Sequence, residues 1–302
     1  MVEVLGQSIV KANNDIFKNN ILRSNEDSWY KDKNVVAISD GAGGVGILAD
    51  IWSETLVKTI PLTTPFHDCN ELDNWIALFW EGFYEKYSKE LSNDPWQIKK
   101  FEDEGSLATL AALWKIDENK FKYQSYGDSA LFIYDTKEGV LKIQNNIKSI
   151  NFFGTSPALI NWKTEQHSAE YFYQQDILLQ ENEEIILATD GIAMYIFGAY
   201  MVYSKSITEN ITENKMIEIV DFFNKNPISD FRYFMNALKD ALSSEYNFTD
   251  LTTDWYNNKF LPNDDYTLIW IKNINENKQK NRVASKSKKS SYFRKLLRKF
   301  KK

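Results

Sequence analysis

Cysteine, histidine and long apolar runs are scarce or missing in this chain of 302 residues. The one cysteine, Cys69, cannot form an intramolecular disulfide, which fits a reducing cytosol. The N-terminus has no basic head followed by an apolar stretch, and no apolar run reaches membrane-spanning length. We therefore expect a cytoplasmic protein that is neither secreted nor membrane-spanning.

Hydrophobic sequence is abundant, at 43% of the residues, and suffices for the core of one large domain. Charge is distributed unevenly: residues 275–302 carry 12 basic side chains against the single acid Glu276, whereas residues 1–274 carry 24 basic and 41 acidic ones. No internal repeat or linker is visible. We therefore divide the chain into a body, residues 1–274, and a basic C-terminal tail, residues 275–302.

The basic tail allows several interpretations. Its apolar residues recur at helical spacing among six basic residues, namely Tyr292, Phe293, Leu296, Leu297 and Phe300. This pattern is typical of an amphipathic helix on an anionic membrane surface, and it equally suits docking on an acidic partner, docking on the acidic body, or weak RNA binding. We expect contact with lipid or an acidic partner, which would place the protein at the membrane periphery, and no specific nucleic-acid binding.

Short runs of β-branched and aliphatic residues predict buried strands over residues 34–39, 130–134, 184–188 and 266–271. Apolar residues at helical spacing predict helices over residues 48–58, 74–91 and 215–243, with a further helix over 107–113. Strands and helices come in blocks and do not alternate strictly. This order favours an α+β layered fold over a parallel, doubly wound one.

Three aspartates border these strands. Asp40 and Asp190 each follow an apolar run and precede a glycine, and Asp264 lies just before the last strand. An Asp-Gly pair after one strand usually marks only a turn, but its recurrence indicates a site. Carboxylates gathered at strand ends repel one another unless a cation lies between them. Oxygen ligands suit magnesium or manganese, whereas zinc favours the histidines and thiols that are scarce here.

Two further features fit such a site. Without a β-carbon, Gly41 allows a sharp turn, so that its carbonyl can approach a metal. The acidic pair Glu26 and Asp27 precedes the first strand and can add outer ligation. Two neighbouring metals generate hydroxide from water and hydrolyse phosphoesters without a protein nucleophile. The glycine loop after Asp40 lacks the pattern of a nucleotide-binding P-loop or a dinucleotide site.

Six motifs in order carry a family resemblance: Asn25-Glu26-Asp27, Ser39-Asp40-Gly41-Ala42-Gly43-Gly44, Glu104-Gly105-Ser106-Leu107-Ala108-Thr109, Tyr126-Gly127-Asp128-Ser129, Ala188-Thr189-Asp190-Gly191 and Asn263-Asp264-Asp265-Tyr266-Thr267. In this order they resemble the type 2C metal-dependent protein phosphatases. The opening Val4-Leu5-Gly6-Gln7-Ser8 is similar to that of their compact bacterial branch. The motifs span residues 25 to 270, essentially the whole body.

The resemblance implies a four-layer α-β-β-α sandwich, two antiparallel sheets flanked by helices, with a binuclear manganese or magnesium centre at one end. It implies that Asp40 bridges both metals, that the Gly41 carbonyl binds the second, and that Asp190 and Asp264 hold the first. The implied activity is hydrolysis of phosphoserine and phosphothreonine in phosphoprotein substrates by a metal-activated water. We expect a monomer.

The resemblance also assigns outer roles. Glu26 and Asp27 would bind metal waters and position the attacking one. Asp128 matches a residue that binds a third, weaker metal in many members, and it equally suits a turn before its strand. The acid expected four residues after Asp190 is Met194 here. We expect Asp265 to act as an outer or loop acid and not as a ligand.

The chain departs from the family pattern at two further places. A proposed general acid, histidine in eukaryotic relatives, is Ala42 here, so that protonation of the leaving group falls to water or another group. The phosphate-binding arginine usually lies five residues before the motif's Asp, whereas Arg23 lies four before Asp27. Arg23, Lys18 or no residue then binds phosphate. These departures leave an alternative open: a catalytically silent relative that binds phosphoproteins or scaffolds signalling.

The two histidines, His67 and His167, lie in polar contexts typical of loops. We expect both at the surface.

Overall fold

The structure is a computed structural model that describes residues 2–11, 25–143, 147, 149–154, 156–257, 261 and 264–273. Arg23, Lys18 and the basic tail lie outside the described residues. The predictions about phosphate binding by Arg23 and about membrane or partner contact by the tail therefore stay predictions.

Two large antiparallel sheets form the centre of the molecule. One has the strand order β1-β12-β11-β7-β8 and the other the order β10-β6-β5-β3-β2, while β4 and β9 form a separate short pair. The strands are β1 (Val2–Ile9), β2 (Ser28–Lys31), β3 (Val35–Ser39), β4 (Leu107–Ala108), β5 (Leu110–Lys115), β6 (Lys120–Tyr126), β7 (Ala130–Asp135), β8 (Val140–Ile143), β9 (Ile160–Asn161), β10 (Phe172–Leu178), β11 (Glu183–Ala188) and β12 (Tyr266–Asn273).

Helices cover the outer faces of both sheets. In chain order they are α1 (Ala49–Thr59), α2 (Cys69–Ala77), α3 (Trp80–Leu91), α4 (Pro95–Glu104), α5 (Asp190–Tyr203), α6 (Asn214–Lys225), α7 (Phe231–Ala241) and α8 (Glu245–Asn257). Across the described part of the chain, no helix combines the length and apolar character that crossing a bilayer requires.

Three apolar cores correspond to the three contacts between four layers. Ile38, Leu113, Leu187 and Ile269 belong to a core formed by residues of both sheets. On the outer face of the first sheet, Ile186 and Trp270 pack with α5 to α8, and on that of the second, Ala37 and Trp114 pack with α1 to α4. Neighbouring residues of one strand thus enter different cores, which explains why these strands are continuous apolar runs. The predicted four-layer α-β-β-α sandwich is confirmed.

All four predicted strands are present as β3, β7, β11 and β12, within one or two residues of the predicted bounds. The predicted helix over 48–58 is α1. Each of the two longer predictions is divided: residues 74–91 fall in α2 and α3, and residues 215–243 in α6 and α7, with Pro227 in the second break. Proline removes a backbone donor and disfavours helical conformation in the residue before it.

The predicted helix over residues 107–113 is wrong. This segment forms β4 and most of β5, and every residue from Leu110 to Trp114 is buried. A strand buried on both faces shows no alternation, so its sequence cannot be told from a short buried helix by periodicity. In the folded chain β5 is a strand because it pairs with β3 on one side and with β6 on the other.

Strand register brings the ends that border the acidic residues to one end of the sandwich. In the first sheet, Ala188 pairs with both Leu268 and Ala130, so the end of β11 lies beside the starts of β12 and β7. In the second sheet, Ser39 pairs with Ser28, so the end of β3 lies beside the start of β2. Segments far apart in sequence therefore meet at this end.

The core between the sheets predicts a specific loss of stability. Leu187 is fully buried at 0% exposure, whereas Leu178, on edge strand β10, is 54% exposed. We expect Leu187→Ala to lower the free energy of unfolding by about 3 kcal/mol, because it removes buried methyl groups and leaves a cavity. Urea denaturation measures this change. The matched variant Leu178→Ala should change stability by less than about 0.5 kcal/mol, and equal losses in the two variants would contradict the assigned core.

Candidate active site

Five aspartates from both sheets meet at this end of the sandwich. Asp40 directly follows β3, and burial, followed by the charges of the other four, raises its pKa well above the ordinary value. These neighbours are Asp27, Asp190, Asp264 and Asp128. Like charges close together in a buried place favour the protonated form of a carboxyl group. The five residues are called the aspartate cluster below.

Asp190 and Asp264 are the members contributed by β11 and β12. Asp190 opens helix α5, and burial raises its pKa although Lys215, the Gly191 amide and a hydrogen bond with Asp40 act in the opposite direction. Burial and the charge of Asp190 raise the pKa of Asp264 to about 6.

Asp27 is held by a chain of hydrogen bonds that crosses between the sheets. The Thr267 amide donates to Thr189 Oγ1 over 3.0 Å, and the Thr189 hydroxyl donates to Asp27 Oδ2 over 2.9 Å. The Asp27 amide donates to Asn25 Oδ1 over 3.0 Å, and the Asn25 side chain donates to Ser8 Oγ over 2.8 Å. These bonds fix the direction of the Asp27 carboxylate, and burial is the main cause of its raised pKa.

Thr109 connects two of the sequence motifs to the cluster. Its hydroxyl accepts the Asp40 amide over 3.1 Å, its own amide donates to the Asp40 carbonyl over 2.8 Å, and its hydroxyl lies 3.0 Å from Ser129 Oγ. Gly127 has a φ of 110°, and a β-carbon there would lie 2.6 Å from Thr109 Cγ2. The loop before β7 therefore requires glycine, and it sets buried Asp128 beside Asp190.

The glycine loop after Asp40 lies between Glu26 and strand β4. The Ala42 amide donates to the Leu107 carbonyl over 2.9 Å, and the Gly41 amide donates to the Glu26 carbonyl over 3.1 Å. A β-carbon on Gly41 would lie 2.7 Å from that carbonyl oxygen, and one on Gly43 would lie 1.9 Å from Glu26 Oε1. The loop thus brings its backbone unusually close to Glu26.

Asp265 tethers two backbone segments beside the cluster. Its Oδ1 accepts the Lys11 amide and its Oδ2 accepts the Glu26 amide, each over 2.7 Å. Both oxygens are thus engaged by backbone amides, and the outer role expected for Asp265 stays a prediction.

Two lysines near the cluster were missed by the sequence analysis. Lys11 Nζ lies 3.4 Å from Glu26 Oε2, and its charge lowers the pKa of Asp264, as does the charge of exposed Lys215. Neither lysine stands in a recognisable motif. Only the three-dimensional arrangement identifies them.

The donor set fits hard divalent cations. In the described part of the chain, no group of three or more His, Cys, Asp or Glu side chains has the arrangement of a ready metal site. The cluster nevertheless offers oxygen donors, and the buried Asp27 Oδ1 and Asp190 Oδ1 have no hydrogen-bond partner. Buried carboxylate oxygens without partners are costly, and a magnesium or manganese ion would satisfy them.

The prediction for the histidines is half wrong. His67 is exposed, but His167 is buried with 4% exposure. Its Nδ1 lies 2.6 Å from Asp73 Oδ1, and its Nε2 accepts the Asn161 amide over 3.1 Å. It thereby joins α2 to the loop after β9, a structural role that its polar sequence context does not indicate.

Stability of the metal-free protein should depend on pH in an unusual direction. The raised pKa values in the aspartate cluster mean that the folded state keeps protons that the unfolded chain has released. The resulting stabilisation is complete below the unfolded pKa values, near about 4, and is lost as pH rises through the folded ones. We expect the Tm in chelator to fall between about pH 5 and about pH 8, as scanning calorimetry measures.

Two comparisons bear on the origin of this pH dependence. Asp264→Asn should reduce the fall of the Tm with pH. Manganese should raise the Tm most at the alkaline end, where the carboxylates have lost their protons. A Tm that is constant or rising over this window in chelator would contradict the prediction.

Neither a family model nor a curated protein matches this chain. Among solved structures, a bacterial serine phosphatase is similar with a TM-score of 0.51 and 14% identity, over 90% of this chain and 97% of that one. A bacterial serine phosphatase bearing an arginine-to-lysine mutation has a TM-score of 0.51 and 13% identity over the same shares.

A third structure is the catalytic domain of the serine/threonine phosphatase PstP in complex with two manganese ions. Its TM-score is 0.47 and its identity 14%, over 89% of this chain and 97% of that one. At 13 to 14% identity, the first two likenesses concern the fold alone. The resemblance to type 2C phosphatases is thus confirmed at the level of the fold: the chain has the fold of a bacterial serine phosphatase.

Proposed function

We propose that this protein is a metal-dependent phosphatase that hydrolyses phosphoserine and phosphothreonine in proteins, with manganese or magnesium as cofactor. The observation that supports this most directly is the convergence of five aspartates, from both sheets, at one end of the sandwich. Such a set is electrostatically unfavourable unless cations bind to it. The fold is one that serine phosphatases use.

Asp40, Asp190 and Asp264 would hold the two ions together with the Gly41 carbonyl, and Asp128 would hold a third. When bound, these cations activate water and offset the charge of the phosphate oxygens. Asp27 and Glu26 would orient the attacking water. Asp27 suits this role because its hydrogen bonds leave Oδ1 without a partner inside the site.

Two features concern the substrate and the leaving group. Ala42 has no ionisable side chain, so we infer that solvent protonates the departing serine or threonine oxygen. The acidic balance of residues 1–274 favours phosphosites in basic sequence surroundings, since opposite charges attract.

Asp40→Asn tests the proposed chemistry. It removes one carboxylate charge from the cluster while preserving shape, and we expect manganese-dependent hydrolysis of p-nitrophenyl phosphate to fall by about a hundredfold or more. The matched control is Asp176→Asn, at an exposed position of β10, which should leave the rate unchanged. Chelator should abolish the wild-type rate, and added manganese should restore it.

Two outcomes would refute the proposal. Equal rates in wild type and Asp40→Asn would show that the aspartate cluster takes no part in the reaction. No turnover by the wild type with any divalent metal would instead favour the catalytically silent, phosphoprotein-binding alternative.

The glycine loop provides a second test, with a control one residue away. A β-carbon on Gly43 would collide with the flexible end of Glu26, whereas one on Gly44 meets nothing within 4 Å. We expect Gly43→Ala to displace the Glu26 carboxylate and lower kcat about tenfold, and to change the free energy of unfolding by less than about 1 kcal/mol. Steady-state kinetics and urea denaturation measure the two effects. Gly44→Ala should match wild type. Equal kcat losses in both variants would show that the loss in Gly43→Ala does not come from displacing Glu26.

A further inference from the structure

The main chain of Glu26 is fixed on both sides. Its amide donates to Asp265 Oδ2 over 2.7 Å, and its carbonyl accepts the Gly41 amide over 3.1 Å and the Ser53 hydroxyl over 2.6 Å. These bonds set where the side chain starts. They do not determine where its carboxylate ends, because a glutamate side chain has three rotatable bonds.

Two of its contacts bear on the position of the carboxylate. Lys11 Nζ lies 3.4 Å from Glu26 Oε2, and the other oxygen, Oε1, occupies the space that a β-carbon on Gly43 would need. The Glu26 carboxylate thus lies between the Lys11 ammonium group and the backbone of Gly43, which has no side chain.

Lys11 differs from an ordinary surface lysine. Its side chain is only 13% exposed, its amide donates to Asp265 Oδ1 over 2.7 Å, and its Nζ lies 4.0 Å from Asp265 Oδ2. The same carboxylate therefore holds the main chains of Lys11 and Glu26. By contrast, the Lys58–Glu54 ion pair joins side chains that are 61% and 52% exposed, the kind of pair that contributes little.

We propose that Lys11 is a positioning residue of the active site, whose ammonium group holds the Glu26 carboxylate against the glycine loop and thereby acts on the reaction through Glu26. This inference rests on the proposed phosphatase function. Lys11 also brings a positive charge to the cluster, so it opposes the binding of divalent cations even as it orders the outer carboxylate.

A different role for Lys11 would be direct contact with the phosphate group. The structure favours positioning, because the ammonium group already lies against Glu26 and close to Asp265. The two roles differ in kinetics. A phosphate contact acts on KM and on inhibition by inorganic phosphate, whereas positioning of Glu26 acts on kcat.

The first experiment is a double-mutant cycle with Lys11→Met, Glu26→Gln and the double variant, assayed with p-nitrophenyl phosphate and manganese. We expect Lys11→Met to lower kcat about tenfold with KM and phosphate inhibition changed less than about twofold. The double variant should be no slower than Glu26→Gln alone. Lys11→Arg, which keeps the charge, should recover kcat to within about threefold of wild type.

The second experiment measures manganese affinity from the electron paramagnetic resonance signal of the free ion. Lys11→Met should bind manganese about threefold more tightly at low salt, with the difference shrinking at high salt, because one positive charge near the site is gone. If Lys11→Met instead disrupted the structure of the site, manganese would bind more weakly. The control is Lys272→Met, whose lysine pairs with Glu3 over 3.3 Å on strands β12 and β1, and which should match wild type.

The outcomes separate this proposal from the proposed function. A wild type that neither binds manganese nor turns over refutes both. If the wild type is active but the losses of Lys11→Met and Glu26→Gln multiply in the double variant, or KM rises in place of the fall in kcat, the positioning role is wrong. If the wild type binds manganese without turnover, the affinity of Lys11→Met decides: unchanged or weaker binding overturns the proposal.

Discussion

Repulsion among buried carboxylates is the constraint on which the rest of this structure depends. Five aspartates lie near one another at one end of the sandwich, where burial and mutual charge raise the pKa of Asp40 well above its ordinary value. Such a group persists only on a rigid frame, since each member would gain by moving into water. The frame consists of strand ends fixed by antiparallel pairing, and of short hydroxyl and amide networks that orient single side chains, as Thr189 orients Asp27.

Much of this arrangement could be predicted from the sequence, because the strands that support it are apolar runs with an acid near one end. The same reasoning failed where burial erases periodicity. Residues 107–113, predicted as a helix, form β4 and part of β5, and helix α5 (Asp190–Tyr203), of which residues 191–199 are all buried, was not predicted. An element that is apolar on every side carries no pattern that distinguishes a helix from a strand.

The residues that the sequence did not reveal are those whose role depends on a distant partner. Lys11 lies 254 positions from the aspartate that accepts its amide, and His167 lies 94 positions from Asp73. A single lysine or histidine in a polar stretch looks like a surface residue until the fold supplies its neighbour. Motif order located the acids of the aspartate cluster but gave no information about the groups that orient them, because such groups belong to no local pattern.

The pairing of β12 with both β1 and β11 has a consequence for the order in which the aspartate cluster is assembled. Strand β12 begins two residues after Asp264, ends at Asn273, and lies between β1 and β11. Contacts of such long sequence separation are slow to form, since loop closure must precede them. A growing chain that does not yet include β12 therefore contains most of the described sandwich but an incomplete aspartate cluster, which is completed only when β12 pairs.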